Sequence, residues 1–412
     1  MCAKWNDKFN PEIIATKLNK IKHFNATGSF SGLEAFQAQD YLAVLKSSLD
    51  FSEQIGWAER SRIINSVVVD LSRKDSLTAK TILGAVCKAE NLSLARPKLN
   101  FVFATSFSIP FSSDLQNRVV RGSRVIFSNQ LPKKFRQEPL AELRQRFGIT
   151  DIPASYCKVR VSISARDHIE AIPIALEKLD LIRGKWNLAL NDSWVLSLGN
   201  SRRESVNKIT LGPFHSLHLP SGKLTTTDIL WYEPDYSDNH HHGRKELERL
   251  LKFEKRIDKD LTRHPYRREL EDIIVRYVRA LDFADLHVAF LQLWGVLERL
   301  TNTNKADNET TIKRTAFHYE EEDMHMQVLQ HLRKFRNANV HSGFQTQQIK
   351  TLLHQLMRYV EKLIFFHVAN IFKFTSLDVA AAFADLPVEP EKLKAKIAGY
   401  KSALKFRTRR TK

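Results

Sequence analysis

The chain has 412 residues, long enough for two or three domains and a sizeable core. Hydrophobic residues make up 43% and charged residues 27%, an ordinary soluble globular balance, and no apolar run approaches the roughly 20 residues needed to span a bilayer. The formal net charge of +18 and pI near 9.7 attract polyanions with salt-sensitive binding; RNA, DNA and acidic membranes all qualify, and charge alone does not choose among them.

Residues 1–7 lack the apolar core of a signal peptide. Cys2, Cys87 and Cys157 are odd in number and far apart, so neither a disulfide framework nor a zinc ribbon is expected. These features point to the cytoplasm.

Residues 1–95 read as a helical segment, with apolar residues at helical spacing over 40–49, 59–71 and 76–89. Asp75 or Ser76 is expected to cap the third of these. The loop 26–32 holds Gly28 and Gly32, but no Gly-Lys-Ser/Thr follows, so it is not a phosphate loop. From Leu99 the period changes. Residues 100–109, 124–127 and 157–164 read as strands, the last alternating cleanly, and strands resume at 194–198 and 207–211. A helix is expected over 167–181, interrupted by Pro173. Residues 96–240 therefore read as an α+β domain with a mostly antiparallel sheet. Residues 235–243, with His240, His241 and His242, read as a polar linker rather than a metal site, because no second ligand cluster is spaced from them.

Residues 244–385 read as an all-α bundle, with helical stripes over 244–261, 267–281, 282–300, 324–339 and 347–374. A long mobile loop is expected over 301–323. Residues 386–412 form a basic tail in which Lys405, Arg407, Arg409 and Arg410 are candidate phosphate contacts and Phe406 a candidate stacking residue.

One charge breaks the pattern. Leu329 and Leu332 mark a helical face, and Arg336 falls four residues later on that face, with Val340 at the next such step. A guanidinium in an apolar stripe is costly unless it is paired or reaches a wet cleft. His341, Ser342 and Gly343 follow, the glycine as a helix C-cap. Positions i and i+5 lie roughly 140° apart on an ideal helix. Arg336 and His341 converge only if the helix ends near Asn339 and turns, or if a second copy supplies one of them.

The run Arg336-Asn337-Ala338-Asn339-Val340-His341 between two long helices resembles the HEPN superfamily. The upstream stretch with Trp294 a turn before Glu298 resembles the second helix of its ApeA-like branch. The resemblance covers residues from about 265 to 375, roughly a quarter of the chain, and says nothing of the first 245. It implies an endoribonuclease that needs no metal or other cofactor and pairs two copies through the bundle to build one composite cleft. It also implies a role in antiviral defence by abortive infection, or as a toxin held by an inhibitor or released by a phage-derived trigger. The region before residue 240 would then be sensor or brake.

The chemistry needs a proton acceptor working near neutral pH and a fixed positive charge for the phosphorane oxygens. Histidine suits the first and arginine the second. The expected roles are His341 as general base or acid, Arg336 as phosphate stabiliser, Asn337 as an orienting hydrogen-bond partner, and Glu298 as the anchor of Arg336. Arg333 and Lys334 stand beside the motif as candidate RNA contacts. Two other classes remain. One is a non-catalytic RNA-binding or partner-binding module. The other is a metal-dependent hydrolase in the first 240 residues, for which no Asp/Glu/His cluster stands at ligand spacing.

Overall fold

A computed structural model of the chain describes residues 2–24, 30–74, 77–135, 155–191, 205–225, 230–232, 244–303, 308–342 and 348–409. The expected strand at 194–198, the three histidines at 240–242, Gly343 and Arg410 lie outside these. The fold is mixed, with antiparallel sheets in the N-terminal half and helices in the C-terminal part.

The first 95 residues are not purely helical. Helices α1 (Pro11–Lys20), α2 (Ala35–Ser47), α3 (Trp57–Arg73) and α4 (Ala79–Ala95) alternate with short antiparallel pairs. These pairs are β1 (Lys4–Trp5) with β4 (Leu49–Asp50), and β2 (Lys22–Phe24) with β3 (Phe30–Leu33). Strands of two to four residues are too short to show alternation, which is why the sequence reads as helix throughout. The third expected helix starts later than its polar break suggests. Thr78 caps α4, exchanging hydrogen bonds with Thr81 in a capping box, in place of Asp75 or Ser76. Cys2 and Cys87 are joined as a disulfide, their Cα atoms 5.2 Å apart, against the expectation of no pairing. Sequence distance, 85 residues, conceals a spatial contact made by the fold. This unit has its own buried core, built around Leu18, Leu45, Ile64, Val68 and Ile82.

The main sheet has six strands in the order β10-β9-β5-β8-β7-β6, every neighbouring pair antiparallel. They are β5 (Leu99–Pro110), β6 (Arg118–Val120), β7 (Ser123–Ser128), β8 (Tyr156–Ala165), β9 (Phe214–His218) and β10 (Leu230–Tyr232). The expected strand at 207–211 is irregular apart from a single bridge at Leu211. Its backbone is held instead by side chains: Asn187 accepts from the amides of Lys208 and Ile209 at 2.9 Å.

Helix α5 (His168–Leu190) lies across the sheet and is the spine of the molecule. Asp167 caps it, accepting from the Glu170 amide at 2.9 Å. Pro173 does not break it: the proline sits in the second turn, where only one intrahelical hydrogen bond is forfeited. From Lys178 to Leu190 every residue is buried. Trp186 packs edge-on to Phe107 of the sheet, while Gly184 meets Ile274 of the bundle.

The bundle contains α6 (Arg244–Thr262), α7 (Arg267–Asp282), α8 (Leu286–Leu300), α9 (Asn308–Ala316), α10 (Glu322–Ser342) and α11 (Ile349–Ala369). Asp285 caps α8, and Asn370 ends α11 in the left-handed conformation at φ 40°. The expected loop at 301–323 contains α9, whose Thr311, Ile312, Thr315 and Ala316 are buried. Small and polar core residues gave it no apolar stripe to read. Past Ala369 come α12 (Leu377–Ala384) and α13 (Pro390–Arg409), the latter an exposed helix that makes up most of the expected basic tail. One cluster of buried apolar residues runs without a break from Phe101 in the sheet to Ala380 in α12. No described helix is long and apolar enough to cross a membrane.

Candidate functional site

Two helices position the motif. On α10, Leu329 and Leu332 are wholly buried, and Phe335 packs edge-on to Phe290 of α8 with centroids 4.9 Å apart. Arg336 follows on the Leu329–Leu332 face, with its side chain 23% exposed. One turn on, Val340 is 51% exposed. It does not continue the buried stripe as the sequence suggests, because the last turn of α10 projects past the core. Arg336 therefore stands where the stripe leaves the protein, and its guanidinium reaches water without being drawn through apolar packing.

Its surroundings orient it. Arg336 Nη1 donates to Asn337 Oδ1 at 3.2 Å, and Nη2 lies 4.0 Å from Glu298 Oε1. Glu298 sits in α8 one turn after Trp294, whose indole N–H donates to the same Oε1 at 3.0 Å. Trp294 is 1% exposed and immobilised by packing, so this bond fixes the carboxylate. A chain of contacts thus runs from buried indole through carboxylate to guanidinium. At 4.0 Å and part exposure, the ion pair is worth less than about 1 kcal/mol. Its effect is on direction rather than stability. Among the described residues the guanidinium has no further hydrogen-bond partner, which leaves most of its N–H fork available to an anion.

His341 lies in the last turn of α10, and its side chain is outside the described residues. The helix runs unbroken to Ser342, so it does not end near Asn339. Ideal geometry then separates positions 336 and 341 by roughly 140° around one helix. Of the two routes to convergence, a second copy is the one compatible with this helix.

The flanking cations divide. Arg333 is engaged with Glu309 of α9, which also accepts from Gln330 Nε2 at 3.0 Å. Lys334 is exposed. Lys405 and Arg407 are exposed on α13; Arg409 is its last residue, with a side chain outside the described set. The structure thus brings together Glu298, Arg336 and Asn337, with Trp294 behind them. Sequence reasoning missed Glu309, hidden in a stretch without periodicity, and gave Trp294 no role in holding Glu298. Among the described residues no group of three or more His, Cys, Asp or Glu is placed to hold a metal ion. No protein-family model, curated protein or solved structure matches the chain.

Proposed function

We propose that the protein is a metal-independent endoribonuclease of the HEPN type, acting as a pair of copies. A base removes the proton from a ribose 2′-OH. The oxygen attacks the adjacent phosphorus, and the 5′-oxygen leaves with a proton, giving a 2′,3′-cyclic phosphate and a 5′-hydroxyl. Arg336 supplies the fixed charge for the phosphorane oxygens. Asn337 and Glu298 set its direction. His341 moves the proton, from the other copy of the motif. Lys334 and the basic end of the tail hold the RNA backbone. In this reading the protein serves in antiviral defence or as a regulated toxin, and the residues before 240 sense or restrain.

The observation that carries this reading is Arg336 itself. It is a guanidinium held at the rim of the core by Asn337 and a Trp294-anchored Glu298, with the rest of its fork unused among the described residues. The test is cleavage of a mixed RNA pool by the pure protein in EDTA, beside Arg336→Ala and His341→Ala. Loss of either group is expected to cost roughly 10²–10³ in rate, and the wild-type products are expected to end in cyclic phosphate. Cutting by the variants at the wild-type rate would make the motif structural.

A further inference from the structure

The six-stranded sheet has two unlike faces. Phe107 of β5 and Phe127 of β7 turn toward α5, where both pack on Trp186. Residues of opposite parity turn the other way. On that outer face the ladder sets Ser128 of β7 opposite Lys158 of β8, and Ile126 opposite Arg160. Arg124 is two residues from Ile126 on β7, hence diagonal to Arg160 on the same face. Cross-strand neighbours have Cβ atoms roughly 4.5–5.5 Å apart and diagonal ones roughly 7–8 Å, so three long basic side chains and a hydroxyl share one patch. Beside it stands the turn Lys133–Phe135, with the centroid of the Phe135 ring 5.6 Å from the Arg160 guanidinium. Lys158 and Arg160 are half-buried, while Arg124 is exposed at the rim.

These cations lack a counter-charge. Among the described residues none of Lys158, Arg160 and Arg124 pairs with a carboxylate, and the Arg160 Nε and the Ser128 hydroxyl are buried without a hydrogen-bond partner. Elsewhere Arg118, Arg121, Arg183 and Lys185 are drawn inward, and each meets a carboxylate there. On the outer face burial pulls Lys158 below its ordinary value, and burial, then Arg124, does the same to Arg160. A desolvated cation without a partner is costly, and like charges on adjacent strands add to the cost. Water satisfies a hydroxyl but leaves the charge unopposed. A bound anion relieves all of these at once.

We propose that this outer face binds a phosphate-bearing small molecule, with the phosphate on Lys158 and Arg160, the Ser128 hydroxyl donating to it and Arg124 closing from the rim. A phosphate suits the site better than a carboxylate, because it brings up to two negative charges and three acceptor oxygens to a patch of three cations. The fork of arginine takes two such oxygens side by side, and lysine adds a compact charge. A recess beside Phe135 suits a compact ligand, whereas a polynucleotide backbone needs an open track of cations. Free phosphate and the phosphate of a nucleotide share this chemistry. The inference stands independently of the ribonuclease reading.

The test is isothermal titration of the full chain with inorganic phosphate, AMP, adenosine and a single-stranded RNA oligomer at constant ionic strength, beside Lys158→Met, Arg124→Gln and Arg336→Ala. Phosphate or AMP is expected to bind and adenosine not; a tighter AMP would add contacts to the nucleoside, and equal affinities would confine recognition to the phosphate. Lys158→Met is expected to weaken binding roughly tenfold or more, and Arg124→Gln, at an exposed position that does not touch the core, by a smaller factor. Without ligand, Lys158→Met should melt no lower than the wild type, since it removes a charge that nothing opposes. A clear fall in its melting temperature would mean that the fold itself supplies a carboxylate, and would overturn the proposal. So would binding that survives both sheet variants and is lost in Arg336→Ala, which would place the anion at the motif. Absence of phosphate and AMP binding would overturn it as well, including the case in which the sheet variants instead lose RNA, which would assign the face to nucleic acid.

Discussion

Two arginines on helical apolar faces carry opposite meanings. Arg336 is at the rim, and its ion pair is long and partly solvated, so Arg336→Ala should change unfolding free energy by less than about 1 kcal/mol. Arg183 in α5 is 2% exposed and donates to Asp180 at 2.5 Å and to both oxygens of Asp282 at 2.9 and 2.8 Å. Burial opposes its charge, yet the carboxylates of Asp282 and Asp180 outweigh this and hold the guanidinium well above its ordinary value. Arg183→Ala would leave the buried Asp180 with Arg279 as its one cationic partner and take the guanidinium from the partly exposed Asp282, and should cost about 3–5 kcal/mol in urea unfolding. A pH effect belongs beside these. Burial, with Lys362 nearby, pushes His318 down to about 4, and burial, then His318, does the same to His367. Both folded values lie below the unfolded value, so the unfolded chain binds more protons as the medium is acidified. Stability from this pair is complete above pH 6.5 and is lost as pH falls from about 6.5 to about 4. A melting temperature that drops steadily across that window, and recovers on return to pH 7, is the expected outcome; one flat to pH 4.5 would contradict it.

Helix α5 shows where sequence and structure part. Its end was expected at residue 181 because the pattern loses its period there: Ile182, Arg183, Gly184, Lys185, Trp186 and Asn187 mix apolar and charged residues without a polar face. The structure explains the loss. A helix covered by a sheet on one side and by α6 and α7 on the other has no solvated face to imprint an amphipathic repeat. With one wet side, α7 was legible to within a residue at each end, as was β8 with its period of two; α8 was legible at its C-terminal end but starts at Leu286, behind its Asp285 cap, where residue 282 was expected. The anchor of the motif was legible for the same reason: Glu298 stands at the edge of a readable stripe. Glu309 was not, because α9 buries threonines. Gly184 tests the packing of α5. Alanine is better than glycine in a helix by about 1 kcal/mol. Here, however, an added Cβ would stand 2.6 Å from Ile274 Cγ2 and 2.9 Å from the Ile274 carbonyl oxygen. A backbone atom cannot rotate away, and overpacking costs about 1–3 kcal/mol. The clash should win: Gly184→Ala is expected to lower stability in thermal unfolding, and a higher melting temperature would refute the close crossing of α5 and α7.

Composition placed a boundary near residues 235–243, where strand-like sequence gives way to helix. A change of secondary structure is not a change of core. Across that boundary Trp186 donates to Glu254 at 2.8 Å, Lys185 pairs with Asp258, and Asn207 donates to the Val278 carbonyl at 2.6 Å. The apolar cluster is continuous over the same divide. The break in the core comes earlier: residues before 95 bury a cluster of their own, and the Cys2–Cys87 bridge closes within it. Two cuts separate these views. Fragment 97–412 keeps the sheet, α5 and the bundle together and should unfold cooperatively, with the thermal transition of that part of the full chain. Fragment 244–412 loses the helix on which α6 and α7 pack. Uncovering three or four core side chains of the Ile274 kind costs roughly 5–12 kcal/mol, comparable to the 5–15 kcal/mol that typically holds a whole domain together. Asp258 and Asp282 lose their basic partners as well. This fragment should therefore retain helical circular dichroism without a cooperative melt, and bind a hydrophobic dye. A sharp transition in fragment 244–412 would show that the bundle is a domain in its own right and that α5 merely rests on it.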